Sequence, residues 1–424
     1  RALTPFEIKV LAKKSNWDLI TKKTRVELST DDISVLKDYY NSVVNVAIKN
    51  ATLALQTQRK LLSDSTEHIK ELMVMQEMQQ PKKTFLLNRG QYDAPAKQVF
   101  PNTPEKILPF PSQLPKNRYG LAQWLTDARN PLTARVAVNH LWQNFFGKGL
   151  VKTAEDFGNQ GEMPSHLDLL DWLAIELRDN NWDIKKLNKL IVMSATYQQD
   201  SKASPLLNEK DPENKLLARG PSMRLSAEMI RDNALTASGL LNKKLGGKSV
   251  YPYQPEGLWE INGTKYNQDT TDQVYRRSLY IVLKRTVPNP TLANFDGPTR
   301  ASCLVRRQST NTPLQALVTL NDPTFIEAAK VIGESITKQQ NTAAAISKAY
   351  QQLTGTTPTT KQMALLNALQ QSEYNKFKAY PNKIKGWINT GLYKIDKTLD
   401  PYWVAANSVV ASTILNSDAT ITKR

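Results

Sequence analysis

The sequence predicts a mainly α protein: a multi-helix globular core with an extended proline-rich arm and a few short strands. Three observations predict it. Apolar residues recur at helical spacing through much of the chain, and the central helices carry explicit start signals. Seven prolines between Pro81 and Pro115 forbid regular helix in that stretch.

Residues 1–79 read as a helical strut, with a polar break near Ser29-Thr30. From Asp31 the positions Ile33, Leu36, Tyr40, Val43 or Val44 and Ala47 form a narrow apolar stripe, which Ala51, Leu55 and Leu62 prolong towards Leu72–Met75. This is one long helix or a broken pair, with a mechanical role linking to upstream domains. Residues 80–117 are the arm. Thr84 to Leu87 suits one short strand, and Arg89-Gly90-Gln91-Tyr92-Asp93 a turn. Phe100, Ile107, Leu108 and Phe110 make the arm too apolar for a free linker, so it is expected to wrap over a core.

Residues 118–335 form the expected helical core. Asn130-Pro131 signals the start of a helix carrying Arg135, Val138, Asn139 and Trp142. Ser165-x-x-Asp168 resembles a capping box before Leu169, Leu170, Trp172, Leu173 and Leu177. Ser226 caps a helix running to Leu241. Thr312-Pro313-Leu314-Gln315 offers both halves of another capping box, and Asp322-Pro323 opens the next helix. Between them, Arg277 to Val287 alternates Leu279, Ile281 and Leu283 against Tyr280, Val282 and Lys284, which predicts a strand. Residues 336–424 read as a terminal helical unit, with helices at Ala343–Leu353, Lys361–Tyr374 and Trp403–Leu415.

Composition narrows the function classes. The single cysteine, Cys303, rules out an intrachain disulfide framework and a cysteine-based zinc or iron–sulfur site. Three histidines, His68, His140 and His166, make a multi-histidine metal centre improbable, so no metal and no cofactor is expected in this chain. No apolar run reaches the length of a membrane helix. The chain opens on Arg1 without an export signal of its own, as expected of a processed product or fragment. A net charge of +17, from 56 Lys and Arg against 39 Asp and Glu, favours polyanionic partners. The excess is scattered lysine, with no basic block and no nucleic-acid motif, so nucleic acid is an unlikely partner.

Several constellations could carry chemistry, each with a plainer structural alternative. Arg135, Asn139 and Trp142 share one helical face; they could line a ligand site or tie their helix to Asp156–Gly161. His166, at a helix N-terminus with Asp156 and Asp168 close in sequence, is the best acid–base candidate, or else a cap residue. Arg224, Glu228, Arg231 and Asp232 have the spacing of an intrahelical ion-pair ladder. Tyr253 and Trp259 belong to an aromatic loop that suits either sugar stacking or packing. Arg276, Arg277, Lys284, Arg285, Arg306 and Arg307 cluster beside the helix start at Thr312, an arrangement suited to carboxylate or sulfate. Internal neutralisation by Glu256, Glu260, Asp272, Asp296 and Asp322 is the alternative.

Taken in order, Arg89-Gly-Gln-Tyr-Asp93, Asn130-Pro-Leu-Thr-Ala-Arg-Val-Ala-Val-Asn139, Glu155-Asp-Phe-Gly158, Pro164-Ser-His166, Tyr253-Gln-Pro-Glu-Gly-Leu-Trp259, Tyr275-Arg-Arg-Ser-Leu-Tyr280 and Asn311-Thr-Pro-Leu-Gln-Ala-Leu317 resemble one family. It is the domain of unknown function at the C-terminus of planctomycete-type cytochrome c proteins. The resemblance covers nearly the whole chain and is weakest before Met73. His140 departs from the pattern, which more usually has Arg after Asn139. The resemblance implies context: an exported protein of the periplasm, outer-membrane surface or medium, with a c-type haem on an upstream domain, in bacteria that use complex, often sulfated, polysaccharides. The expected function is a binding or scaffold module for such an assembly. The alternative is a hydrolytic or oxidative enzyme domain working with the upstream haem domain.

Overall fold

The computed structural model describes residues 5–12, 17–67, 69, 71–260 and 263–423. Among these the protein is mainly α, with eighteen α-helices and four short strands. Its backbone divides into two compact units, Arg1–Phe100 and Pro101–Arg424.

The first unit holds α1 (Pro5–Leu11), α2 (Trp17–Ile20), α3 (Thr30–Tyr39) and α4 (Val46–Glu67). The polar break at Ser29 is a capping box: the Ser29 hydroxyl accepts from the Asp32 N–H, and the Asp32 carboxylate accepts from the Ser29 N–H. Phe6, Trp17 and Tyr39 meet edge to face or tilted, with centroids 4.6–5.1 Å apart. The apolar stripe is a broken pair of helices, interrupted by a π turn at Tyr40–Val44. Its phase also differs from the sequence pattern. Asp32 and Val35 are buried in α3, Ile33 and Tyr40 are exposed, and α4 buries no residue and stops before Leu72. Within its own unit the pair meets the short α1 and α2, where Tyr39 packs against Phe6 and Trp17. The predicted strand at Thr84–Leu87 forms as β1, pairing antiparallel with β2 (Pro95–Val99). Arg89 and Gly90 turn the hairpin in the left-handed region, at φ of 50° and 76°.

The second unit begins with the rest of the arm, which packs through Leu108; the Trp124 indole donates to the Leu108 carbonyl at 2.9 Å. Trp124 lies on α5 (Arg118–Leu125). α6 (Thr133–Phe146), α7 (Leu167–Asp179) and α8 (Ile184–Val192) then enclose one core of Val138, Trp142, Leu170, Leu173, Leu177 and Ile191. The short α9 (Pro205–Lys210) and a loop lead to β3 (Met223–Arg224). A second, larger core is built from α10 (Ala227–Ala237), α11 (Pro290–Asn294), α12 (Pro313–Asn321), α13 (Pro323–Thr337), α14 (Thr342–Thr354) and α15 (Thr360–Ala379). It is completed by α16 (Lys385–Ile388), α17 (Pro401–Leu415), α18 (Asp418–Ile421) and β4 (Thr422–Lys423), which pairs antiparallel with β3. α13 and α17 approach closely because both present small residues. Ala328, Ala329 and Gly333 face Ala405, Ser408 and Ala411, and a Cβ on Gly333 would sit 2.5 Å from the Ser408 nitrogen.

Four local expectations are corrected. The segment from Arg277 to Val287 is not a strand: it has a 3₁₀ turn at Ser278–Tyr280 and a single bridge between Val250 and Ile281. Side chains of α10 fasten the backbone at the start of this segment and just before it. Asp232 accepts from the Ser278 N–H at 2.8 Å, and Arg231 donates to the carbonyls of Val274 and Arg276. Ser165 does not cap α7; His166 holds that position without a side-chain bond, the Ser165 hydroxyl reaches back to the Leu150 carbonyl, and Trp172 is half exposed. Thr312 stands at the N-cap of α12 without a side-chain bond, the Gln315 N–H donating to its carbonyl, and the Gln315 side chain, the other half of the expected box, goes to Arg224, the Asn294 carbonyl and Thr310. The Asn130 carboxamide accepts from the N–H groups of Leu132 and Thr133, two residues ahead of Leu132, the N-cap of α6.

Candidate functional site

Most residues singled out in the sequence are committed to the fold. Arg135 forms a bidentate pair with Asp171 on α7, at 2.6 and 2.9 Å, and donates to the Pro131 carbonyl. That guanidinium holds the Asp171 carboxyl below the usual carboxylate range. Asn139, fully buried, both accepts from the Val151 N–H at 2.8 Å and donates to its carbonyl at 3.0 Å. Neither side chain reaches Asp156, whose carboxylate accepts from the Gly158 N–H at 2.7 Å and shapes its own loop. The His166 Nδ1 lies 3.1 Å from the Ser165 hydroxyl. These four residues do not converge on a shared atom. His68 lies outside the described residues.

The basic cluster disperses as well. Arg276 is buried, its guanidinium donating to the carbonyls of Lys244, Gly246 and Lys248 and stacking 3.8 Å from the Tyr280 ring. Arg306 pairs with Glu155 at 3.1 Å and Arg307 with Glu228 at 2.5 Å, so the neutralising carboxylates are not the five expected ones. Asp296 serves Thr310, Asp272 serves Asn242 and Asp322 caps α13. Arg277 and Arg285 are exposed, while Lys284 bonds the Thr264 hydroxyl and lies 4.6 Å above the Trp259 ring. The helical ladder is absent too: Arg224 precedes α10 and bonds Gln315, and the buried Arg231 bonds carbonyls, with Asp232 at 3.8 Å. In the aromatic loop, Tyr253 is buried and donates to Glu327 at 2.8 Å, and Trp259 packs edge-on against Tyr251 and Tyr266.

Glu327 belongs to a buried polar stripe on α13 that the sequence reading missed. Its carboxylate accepts from the hydroxyls of Tyr253 and Tyr275 and from the Tyr393 N–H at 2.6–2.8 Å. Burial, and then this carboxylate, push both tyrosine hydroxyls well above their ordinary range. One turn on, the Lys330 ammonium donates to the carbonyls of Thr390 and Tyr393 at 2.6 and 2.7 Å, and burial lowers its pKa. Gly391 passes over the stripe at φ 80°, where a Cβ would meet the Glu327 carboxylate at 2.1 Å. Every partner here is internal, so the stripe fastens the loop before α17.

Beside the C-terminal end of α6 the described residues leave a solvent-connected cleft of about 620 Å³. Gly147, left-handed at φ 79°, ends that helix, and the missing Cβ of Gly149 leaves room for the Asn139 carboxamide. Asn139 therefore sets the loop that carries Lys148 and Lys152. The opposite wall is the 211–219 loop. The Asp211 carboxylate accepts from the N–H groups of Lys215 and Leu216, and Arg219 donates to the carbonyls of Asp211 and Pro212 at 3.0 and 2.9 Å. Trp142 and Phe146, stacked at 4.1 Å, contribute an apolar floor. Glu213 bridges the walls, 3.7 Å from Lys148 and 3.3 Å from Lys152; those lysines, Lys152 foremost, hold its carboxyl below the ordinary range. The Asn214 Nδ2 donates to the Arg219 carbonyl, whereas its buried Oδ1 makes no hydrogen bond. Only the Gly147-Lys148-Gly149 turn after an aromatic helix end hinted at this site; its other wall lies far along the chain, Glu213 being 61 residues from Lys152.

Among the described residues no helix is long and apolar enough to cross a membrane, and no group of His, Cys, Asp and Glu could hold a metal ion. No curated protein and no solved structure matches the chain. A family model does match, over residues 117–370, which span α5 to the middle of α15 and so include the first core, the cleft and part of the second core. On that match, covering more than half of its length, the chain belongs to the PSD1 family, a protein of unknown function (DUF1553).

Proposed function

We propose that this chain is a binding and scaffold module of an exported multidomain protein, engaging anionic or sulfated polysaccharide at the cell surface. In that setting a c-type haem would be carried by a domain upstream. The observation that carries the reading is the division of polar residues. The family-motif groups Arg135, Asn139, Arg276, Tyr253 and Gln315 are bonded inside the fold, whereas the solvent-connected cleft carries the ammonium groups of Lys148, Lys152 and Lys215 beside the carboxylates of Glu162 and Glu213. Its volume falls within the range of about 300–1,000 Å³ common for ligand sites. An apolar aromatic floor, hydroxyl and amide walls and a cationic rim suit an anionic sugar. A hydrolytic reading built on His166, Asp156 and Arg135 draws no support from their positions, since each is bonded within its own neighbourhood.

The test is binding of the purified chain to dextran sulfate, polygalacturonate and neutral dextran, measured across a salt series. The charged polymers are expected to bind at low ionic strength and weaken as salt rises, with neutral dextran much poorer. Equal binding of all three, or of none at low salt, would remove the reading.

A further inference from the structure

Within the cleft, three observations point to where each part of a ligand would sit. Glu213 places its carboxylate between two lysine ammoniums that belong to the opposite wall, at 3.7 and 3.3 Å. Lys152 is shared further, with Glu162 at 3.7 Å. Asn214, the next residue along from Glu213, presents a buried acceptor oxygen that no protein group satisfies. A buried acceptor left without a partner is costly, so it is a natural place for a donor from outside.

We infer that Lys148 and Lys152 form a subsite for one sulfate or carboxylate group of a sugar, and that the Glu213 carboxylate occupies this subsite as an internal stand-in. The inference rests on the polysaccharide reading above and adds a position for each group. The ligand's anion replaces Glu213 between the lysines, a ring hydroxyl donates to the Asn214 Oδ1 once that side chain turns towards the cleft, and the apolar sugar face lies towards Trp142 and Phe146. Glu213 then sets specificity. A neutral sugar gains nothing from displacing it, whereas an anionic sugar exchanges one carboxylate–ammonium contact for another. The lysine and glutamate side chains are 37–52% exposed, so the exchange needs no opening of the core.

The test uses chemically sulfated maltotriose and its unsulfated parent, titrated calorimetrically into the whole chain at low and moderate salt. Glu213→Gln removes the competing charge while keeping the side chain's shape, and is expected to tighten sulfated maltotriose about 5-fold. The double variant Lys148→Ala/Lys152→Ala is expected to weaken it about 10-fold. Glu213→Asp keeps the charge and should stay near the parent protein; Lys361→Ala, on α15 away from the cleft, controls for general charge loss. If the parent protein binds the sulfated polymers but Glu213→Gln leaves sulfated maltotriose unchanged or weaker, the subsite is wrong and the polysaccharide reading stands. If the parent protein binds none of the charged polymers at low salt, both fail together. Far-ultraviolet dichroism of each variant guards against misfolding, and should Glu213→Gln prove unstable, Glu213→Ala is expected to tighten sulfated maltotriose in the same way, with no tightening overturning the subsite.

Discussion

Asn139 shows how a single polar residue links core to surface. It is completely buried between Val138 and the aromatic pair, yet both ends of its carboxamide are engaged by Val151. Truncation would leave a buried N–H and a buried carbonyl without partners. Asn139→Ala is therefore expected to cost about 3 kcal/mol, measured by urea unfolding. It should also loosen the loop carrying Lys148 and Lys152, and so weaken binding of a charged polymer in whatever fraction remains folded. The importance of Asn139 was legible in the sequence through its place on one helical face with Arg135 and Trp142. Its partner was not, because a carboxamide's hydrogen bonds depend on which backbone the fold brings alongside. The same holds for Arg135, whose mate is Asp171 on the next helix rather than the nearer-seeming Asp156.

At the level of elements, local signals succeeded where nothing distant competed for the capping side chain. Ser226 and Asp322 cap α10 and α13 as their sequences suggest. The signals failed where tertiary partners claimed the same atoms. Gln315 was expected to close a capping box and is instead a buried junction joining β3, α11 and the loop before α12. This difference is measurable. Ser226→Ala should cost about 1 kcal/mol, the usual worth of a cap. Gln315→Ala should cost about 3 kcal/mol, since it strands an arginine and a carbonyl inside the protein. Equal losses in chemical denaturation would show that Gln315 is only a local cap. The false strand at Arg277–Val287 has the same origin: its alternation is real, but Asp232 claims the Ser278 N–H and the chain turns in a 3₁₀ helix at Ser278–Tyr280.

For the molecule as a whole, the helical class was readable from periodicity and prolines, whereas the division of residues 101–424 into two cores was not. The cores meet where β4 returns to β3 and where Lys423 reaches Tyr197 and the Phe145 carbonyl. Contacts between residues so far apart leave no periodic trace. Acid should unpick this arrangement. Arg129 holds the Asp127 carboxyl at about 2, Arg135 lowers that of Asp171, and in Glu334 burial is outweighed by Lys338, Tyr393 and the Asp396 N–H, so its pKa is lowered too. Carboxyls depressed on folding add stability above their unfolded values and lose it as pH falls through the folded ones. Melting temperature should thus be nearly flat from about pH 8 to 5 and fall below about pH 4; a rise on acidification would contradict these pairings. The α13 stripe carries a further consequence. The family match stops at residue 370, inside α15, yet the carbonyls that hold Lys330 and the N–H groups of Tyr393 and Asp396 that bond Glu327 and Glu334 lie at residues 388–396, and α17 covers the small-residue face of the same helix. The stretch that inheritance keeps recognisable is shorter than the stretch that must fold together. A fragment cut at the edges of the match would carry a bare ionic seam, whereas one extended to the last strand keeps its counterpart.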